Sequence, residues 1–277
     1  MNYLLAPFLL VHNLVGWVWT AVSLSVMSVV AYLTRPTTPG QVGREAQLRH
    51  YSRWAQGWGR SVAWVCRVRI EIEGREHLEE AARHGAVVIA CNHQSMMDIP
   101  ILLASVPGYF AFVSKAEVFT VPVLGAYMEA CGFIKLRRGV RAGSREAMSG
   151  CVDALRSGRS VLMFPEGTRS DTGELLPFKK GAARLAARGQ VPILPLALDG
   201  SYASLPKGSL LARPASVVVR AGPLLMPPET VADTLSVEAT TARLQQAVGR
   251  LLPTHPDRAS AHRVSVPPLA GAEELEA

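Results

Sequence analysis

A histidine and an aspartate stand five residues apart, directly after an apolar run. The run is AVVIAC at 86–91, and the polar segment NHQSMMD follows it at 92–98. We expect a buried strand to end there, with His93 and Asp98 close together on one tight turn. Imidazole is the side chain whose unperturbed pKa lies near neutral pH, and a carboxylate on its far nitrogen fixes the tautomer and stabilises the protonated ring. Such a pair can take the proton from a substrate hydroxyl.

A purely structural role is the alternative for both residues. Asp98 precedes Ile99-Pro100, so it is also placed to cap a helix that has proline in its first turn. His93 would then be an ordinary turn histidine.

A second polar segment follows another apolar run. The run SVLMF at 160–164 predicts a strand, and PEGTRS at 165–170 predicts a turn that carries charge and hydrogen-bond donors. Ligands of α/β sheets collect at the carboxyl ends of the strands, so the two polar segments are expected to share one cleft. The alternative is a surface turn with an ion pair between Glu166 and Arg169, which would contribute little.

Two further segments complete the pattern. A short strand, CGFIKL at 131–136, is followed by Arg137-Arg138-Gly139, and the planar fork of arginine is suited to phosphate. A solvated basic strand end is the alternative. The run VPILPLAL at 191–198 carries no chemistry, and its two prolines predict an edge or interrupted strand.

The four segments together resemble the glycerolipid acyltransferase family, the 1-acyl-glycerol-3-phosphate acyltransferases. The matching motifs are NHQSMMD at 92–98, GFIKLRR at 132–138, FPEGTRS at 164–170 and VPILP at 191–195. They occur in the family's order and with its spacing, and the resemblance covers roughly residues 70–225. It implies the glycerol-3-phosphate acyltransferase-like form of an α/β fold.

The resemblance also implies roles for individual residues. His93 matches the family's catalytic base and Asp98 the acid that orients it. The positions that match its substrate-binding residues, near the acceptor phosphate, are Arg138, Glu166, Gly167, Thr168 and Arg169. One departure is that the residue before the motif arginine, often acidic in the family, is Arg137 here.

The chemistry that the resemblance implies is acyl transfer from a thioester, either acyl-CoA or acyl-carrier protein, to the 2-hydroxyl of 1-acyl-glycerol 3-phosphate. The product is phosphatidic acid. A thioester is already activated, so no serine nucleophile is needed, and the chain has no Gly-x-Ser-x-Gly motif. We expect no metal and no cofactor besides the acyl donor, since no Cys-x-x-Cys or His-Glu-x-x-His spacing is present.

The chain begins with 34 residues that include no Asp, Glu, Lys or Arg. About 20 apolar residues span a bilayer as a helix, so this segment predicts a membrane anchor. Two forms are open: one spanning helix, or a hairpin within one leaflet that breaks at Asn13 and Gly16. A secretory signal peptide is disfavoured because no basic residues precede the apolar stretch.

The next segment is basic. Between Arg35 and Arg69 there are seven arginines and one acidic residue, Glu45. Basic residues beside a hydrophobic segment stay cytoplasmic and attract anionic lipids. We therefore expect the inner (cytoplasmic) membrane of the cell, with the catalytic domain facing the cytosol. Trp54, Trp58 and Val62 share one helical face, which predicts an amphipathic helix at the membrane surface or, alternatively, tryptophans packed against the core.

Composition supports membrane lipids as partners. The net charge is +7, which also suits nucleic acid, but no helix-turn-helix, zinc finger or RNA-binding signature is present, and we expect no nucleic-acid partner. The four cysteines lie scattered in apolar runs and are expected to be buried, reduced thiols.

Apolar runs alternate with helical patterns, which predicts a mixed, mostly parallel sheet flanked by helices. The predicted strands are Val68–Glu73, Val87–Cys91, Tyr109–Val113, Phe133–Leu136, Val161–Phe164, Ile193–Leu198 and Ser216–Ala221. The predicted helices are Arg75–His84, Ile99–Ala104, Val123–Ala130, Ser144–Arg156, Phe178–Ala187 and Thr241–Leu251. We expect an N-terminal anchor and basic interfacial helix (1–69), a catalytic domain (70–252) and a flexible tail (253–277).

Two rival functions remain at this point. The same chemistry on another acceptor, such as glycerol 3-phosphate, a lyso-ornithine lipid or another lysophospholipid, is the nearer one. A membrane-binding module that keeps the fold without catalysis is the other, and it is disfavoured because His93, Asp98, Glu166 and Arg169 occur together.

Overall fold

The computed structural model describes residues 5–137, 139 and 141–253 of the 277-residue chain. Its helices are α1 Leu5–Leu33, α2 Gly40–Val65, α3 Arg75–His84, α4 Asp98–Ser105, α5 Leu124–Ala130, α6 Arg141–Arg156, α7 Gly181–Gly189, α8 Ser201–Ser204 and α9 Thr234–Leu251. Its strands are β1 Val68–Glu73, β2 Val88–Cys91, β3 Phe110–Lys115, β4 Ile134–Leu136, β5 Ser160–Met163, β6 Ile193–Asp199 and β7 Ala215–Ala221. A 3₁₀ turn at Ala116–Thr120 follows β3.

The strands form one seven-stranded sheet in the order β1-β7-β6-β2-β5-β3-β4. Every neighbouring pair is parallel except β6 and β7, which are antiparallel. The predicted α/β class with a mixed, mostly parallel sheet is confirmed. The carboxyl ends of β2, β5, β3 and β4 therefore meet at one edge of the sheet, as the sequence analysis expects.

All seven predicted strands are present within two residues of their predicted ends. Three helices begin three or more residues from their predicted start, and one of them, α6, begins at Arg141 and not at Ser144. Helix α9 begins seven residues earlier, at Thr234, because the Asp233 carboxylate caps it by accepting from Ser236 N at 3.0 Å. Helix α7 begins three residues later, at Gly181, and Phe178 N donates instead to Gln245 Oε1 at 2.9 Å.

Two apolar cores lie on the two faces of the sheet. Along β2 the side chains alternate, so Ile89 and Cys91 belong to one core while Val88 and Ala90 belong to the other. The first core is completed by α2, α4 and part of α1, and the second by α6, α7 and α9. All four cysteines are free and buried.

Helix α2 packs closely on α4. At Gly59 an added Cβ would lie 2.5 Å from Pro100 O and 2.9 Å from Leu103 Cβ, so only glycine allows this approach. Trp54 and Trp58 pack against the first core, and Val62 is buried in it. The expectation that this face meets the membrane is therefore wrong, and core packing, the alternative, holds.

The outward face of α2 has a different composition. Arg49, Arg53, Arg60 and Trp64 recur at helical spacing, all are exposed, and Trp64 is 77% exposed. The aromatic residue on the basic surface of this helix is thus Trp64.

Helix α1 is continuous over 29 residues and passes through Asn13 and Gly16 without a break. Of the two forms left open by the sequence, the hairpin that breaks at these residues does not form. By length and composition, Leu9–Leu33 is the one candidate membrane span among the described residues. One face of α1 (Asn13, Gly16, Met27 and Ala31) is buried against the domain. The other face exposes a row of large apolar side chains, which are Leu10, Val11, Leu14, Val15, Val18, Val22, Val26 and Val29.

Candidate active site

The polar segments predicted from the sequence converge at the carboxyl edge of the sheet. His93 follows β2, the turn 165–170 follows β5, and Lys115 ends β3. Strand β2 lies next to β5, with Ala90 opposite Met163, and β5 lies next to β3. Three parallel neighbours thus deliver three polar groups to one place.

His93 and Asp98 are in direct contact. His93 Nδ1 lies 2.7 Å from Asp98 Oδ2. The Asp98 side chain is fully buried, whereas the His93 side chain is 19% exposed. With Nδ1 donating to the carboxylate, Nε2 of the same ring is the nitrogen that can accept a proton.

The same carboxylate oxygen organises the turn itself. Asp98 Oδ2 also accepts from Gln94 N at 2.8 Å and from Ser95 N at 2.9 Å. These donors precede helix α4, so Asp98 does not cap the helix that it begins. The carboxylate fixes the path of the turn and the orientation of the imidazole together.

Two further contacts hold His93 in place. Its ring stacks on Phe164, with 3.9 Å between centroids and 11° between planes. Asn92 anchors the end of β2 to β6, because its Oδ1 accepts from Leu198 N at 2.7 Å and its Nδ2 donates to Leu198 O at 3.0 Å. These two hydrogen bonds fix the position of the strand end that precedes His93.

Glu166 supports the backbone of His93. Its Oε1 accepts from His93 N at 2.8 Å and its Oε2 accepts from Leu176 N at 3.3 Å. The residue is 3% exposed, and burial raises the pKa of its carboxyl to about 7, although the two backbone donors act in the opposite direction. Glu166 lies beneath the turn 92–98 and does not line the cavity, which differs from its expected contact with substrate. Its role is to join the turn after β5 to the turn after β2.

Three residues of the second turn, Gly167, Thr168 and Arg169, line the cavity. Gly167 has φ +72°, and an added Cβ would lie 2.6 Å from Lys179 Nζ, so glycine is required there. Gly167, Thr168 and Arg169 line the same cavity as His93, and Arg169 Nη1 lies 3.9 Å from Met96 Sδ. Ser170 N donates to His93 O at 2.8 Å, which ties the far end of this turn to His93.

The cavity has a volume of about 620 Å³. Its polar end is formed by His93, Lys115, Thr168 and Arg169. The rest is mostly apolar and runs between α1, α2, α4 and α5, lined by residues such as Leu24, Val62, Leu103, Leu124 and Phe133. A molecule with an anionic head and a long apolar tail fits this division of chemistry.

Lys115 is a site residue that the sequence analysis missed. It ends β3, and its side chain lines the polar end of the cavity. The signal was available, since the run from Phe110 to Lys115 ends in a cation beside the predicted cleft. Among the described residues, no group of three His, Cys, Asp or Glu side chains gathers as a metal site would.

Most of the predicted site is thus brought together. His93, Gly167, Thr168 and Arg169 line one cavity, Asp98 lies behind His93, and Glu166 lies beneath it. Arg138 is outside the described residues, and its neighbour Arg137 is exposed.

Comparison with known proteins gives concordant results. Residues 69–199 match the family model described as Acyltransferase. The chain is 38% identical over 141 residues to the chloroplastic 1-acyl-sn-glycerol-3-phosphate acyltransferase BAT2 of Brassica napus. The aligned region covers 51% of this chain and 40% of that protein. It is 34% identical over 209 residues to a 1-acyl-sn-glycerol-3-phosphate acyltransferase of Chlamydomonas reinhardtii, covering 73% of this chain and 60% of that protein. The chain spans about half the length of the curated relatives that it matches.

A solved structure has the same fold. The crystal structure of the 1-acyl-sn-glycerophosphate (LPA) acyltransferase PlsC from Thermotoga maritima superposes with a TM-score of 0.72. It is 24% identical and covers 87% of this chain and 95% of that chain. The likeness therefore extends beyond the region of the family model.

Proposed function

Because residues 69–199 form an acyltransferase-family domain, we propose that the protein acylates the 2-hydroxyl of 1-acyl-glycerol 3-phosphate and produces phosphatidic acid. The acyl chain comes from acyl-CoA or acyl-carrier protein. The observation that carries this proposal is the His93–Asp98 contact of 2.7 Å at the polar end of a largely apolar cavity.

His93 acts as the general base. Its Nε2 takes the proton of the acceptor hydroxyl while the hydroxyl oxygen attacks the thioester carbonyl. Asp98 stabilises the imidazolium that forms, since its carboxylate contacts Nδ1. Collapse of the tetrahedral intermediate breaks the carbon–sulfur bond, and the departing thiolate takes the proton back from His93. One ester bond replaces one thioester bond, and the base is restored.

The cations at the polar end bind the acceptor phosphate. Arg169 and Lys115 line the cavity together with His93, and an arginine donates two parallel bonds to a phosphate. Thr168 adds a hydroxyl donor on the same turn, and we expect Arg138 to contribute as well. Holding the phosphate orients the hydroxyl toward His93, which contributes to the rate through positioning. Glu166 acts through the backbone of His93.

The apolar part of the cavity accepts an acyl chain. The exposed apolar face of α1 supports association with a membrane, from which a lysolipid enters. Contacts of α1 with the domain extend from Asn13 to Ala31, so we infer that this helix lies in one leaflet and does not cross the bilayer. The exposed arginines of α2 support a location on the cytosolic face of the inner membrane.

One experiment tests the function. The purified full-length protein is incubated with acyl-CoA or acyl-carrier-protein donors and with separate acceptors, and the lipid products are identified by mass. The acceptors are 1-acyl-glycerol 3-phosphate, glycerol 3-phosphate and a lyso-ornithine lipid. We expect phosphatidic acid from the first. Preferred acylation of another acceptor would contradict the proposed substrate and keep the mechanism.

His93→Ala separates catalysis from membrane binding. Loss of the general base lowers kcat by about 10²–10⁴-fold, while binding to vesicles is unchanged. If the variant turns over at the rate of the unmodified protein, His93 is not the base. If neither protein transfers acyl groups to any acceptor, the chain is a membrane-binding module.

A further inference from the structure

Helix α1 is tied to the domain by a polar residue on its buried face. Asn13 is 5% exposed. Its Oδ1 accepts from Ala212 N at 2.5 Å, and its Nδ2 donates to Ala212 O at 3.0 Å. One side chain thus satisfies both backbone groups of one residue, 199 positions away. Four residues along the helix, Trp17 Nε1 donates to Leu210 O at 2.8 Å.

The segment that receives these bonds is residues 205–213, which we name the clasp loop. Its two ends are held together at the base, where Arg213 N donates to Ser204 O at 2.8 Å and Ser204 Oγ donates to Arg213 O at 3.1 Å. The loop is therefore closed on itself, and a displacement at Ala212 is passed to its other end.

That other end contacts the catalytic turn. Ser95 Oγ donates to Leu205 O at 2.7 Å, Met96 N donates to the same oxygen at 3.4 Å, and Ser95 forms a short antiparallel bridge with Pro206. Ser95 N in turn donates to Asp98 Oδ2 at 2.9 Å, the oxygen that contacts His93. The contacts run without a gap from Asn13 through the clasp loop and Ser95 to the His93–Asp98 pair.

The two bonds between Asn13 and Ala212 exist only while α1 lies on the domain, whereas Asn13 Nδ2 also donates to Leu9 O at 2.8 Å within α1 itself. Ala212 is 6% exposed, and a buried backbone group without a partner is costly. An amide side chain in an apolar helix is likewise unfavourable unless it is paired. Separation of α1 would leave Asn13 Oδ1 and both backbone groups of Ala212 without these hydrogen bonds. We therefore expect α1 and the clasp loop to stay in contact in the folded protein, and a change in one to affect the other.

We propose that Asn13 is a positioning residue for acyl transfer, and that it couples the seating of α1 to the geometry of the His93–Asp98 turn through the clasp loop. The inference rests on the proposed acyltransferase function. Its consequence is that the enzyme is fully assembled for catalysis only when its lipid-facing helix is seated.

The test compares Asn13→Leu, which keeps the branching of the side chain at Cγ and removes both bonds to Ala212, with Ser28→Ala. Ser28 lies on the same helix, is partly buried, and its hydroxyl donates only to Leu24 O within the helix. Amide hydrogen exchange of the full-length protein in detergent is measured without substrate. We expect exchange about tenfold faster in Asn13→Leu in both 205–213 and 93–98, and no change in Ser28→Ala. Faster exchange confined to 205–213 would overturn the coupling.

Kinetics give the second readout. Asn13→Leu should lower kcat about tenfold, and Ser95→Ala should lower it by a similar factor. Because both act through one loop, the double variant should lose much less than the product of the two factors. Multiplying losses would refute the coupling. Ser28→Ala combined with Ser95→Ala serves as the additive control.

A variant that fails to fold and a protein that lacks acyltransferase activity give different results in these tests. If Asn13→Leu does not fold, the same tests are made on Trp17→Phe, which removes only the bond to Leu210 O. The expected effect is then smaller, about threefold. Unchanged exchange at 93–98 in Trp17→Phe would overturn the proposal. If the unmodified protein transfers no acyl group, the proposed function fails, and the exchange measurement still decides whether α1 and the catalytic turn are coupled.

Discussion

Replacement of Asp98 by asparagine separates the charge of this residue from its hydrogen bonds. One oxygen, Oδ2, accepts from His93 Nδ1, Gln94 N and Ser95 N. An amide nitrogen cannot accept from the two backbone donors, so the asparagine oxygen is forced into the Oδ2 position. The same oxygen can still accept from His93 Nδ1, and the turn and the tautomer are therefore preserved. What Asp98→Asn removes is the negative charge beside the imidazolium.

The size of the effect follows from the geometry. With about 4 Å between the centres of charge and an effective dielectric constant of about 20, the lost attraction is about 4 kcal/mol. We expect kcat to fall by about 10²–10³-fold, because solvent relaxation recovers part of this energy. The melting temperature should fall modestly, because the new amide group lies at the buried Oδ1 position, which has no hydrogen-bond partner; Asp98→Ala, which removes all three acceptor contacts, should lower kcat and should lower stability further.

The assay is steady-state acyl transfer by the purified variants, with thermal unfolding measured in parallel. Asp233→Asn is the matched control, since Asp233 caps helix α9 by accepting from Ser236 N, far from the cavity. A kcat for Asp98→Asn within threefold of the unmodified enzyme would refute the electrostatic role and leave Asp98 only as the scaffold of the turn.

Three other changes test the rest of the site. Burial raises the pKa of Glu166 to about 7, so the folded protein binds this proton more tightly than the unfolded chain. Stability is therefore lost as pH rises from about 4.5 through 7. Glu166→Gln should remove this loss, and its melting temperature should drop less between pH 5 and 8. Arg169→Ala and Arg138→Ala should raise the acceptor KM at least several-fold with little effect on the donor KM, with the exposed Arg137→Ala as control; an unchanged acceptor KM and kcat would remove the phosphate site. After deletion of residues 1–34, the protein should still bind anionic vesicles at low salt, because each exposed arginine of α2 contributes about 1 kcal/mol, and this binding should be lost as salt rises. A truncated protein that does not bind such vesicles and keeps full activity on bilayer-embedded lysolipid would contradict docking at the membrane surface.

The parts of the site that could be predicted from the sequence depend on local information. His93 and Asp98 are five residues apart, and a turn that follows a buried strand leaves few conformations in which they do not meet. The strands could also be predicted, because most are apolar runs bounded by glycine, proline or charge, and β1, with the sequence VRIEIE, alternates apolar and charged residues. The carboxyl ends of parallel strands then had to meet at one edge, so Arg169 could be placed near His93.

Glu166 shows where that reasoning stops. Its two carboxylate oxygens bond the backbones of His93 and Leu176, which lie 73 and 10 residues away. A backbone N–H is present at almost every position, so no pattern of side chains marks which one a carboxylate will meet. The charge of Glu166 suggested a role at the surface near phosphate, whereas the residue is 97% buried and supports the turn from inside the protein.

Asn13 is the clearest case of a local rule that the tertiary structure overrides. Asparagine is a weak helix former, and its polarity in an apolar run favours a break, but its intrinsic penalty is less than about 1 kcal/mol. A 29-residue apolar helix packed along one face gains far more than that by remaining continuous. The two bonds to Ala212 remove the cost of burying the amide, so the residue that would interrupt an isolated helix joins this one to the domain. A polar residue in an apolar helix is therefore best interpreted by the partner that it finds, and here the contacts of that partner continue through the clasp loop and Ser95 to Asp98 and His93.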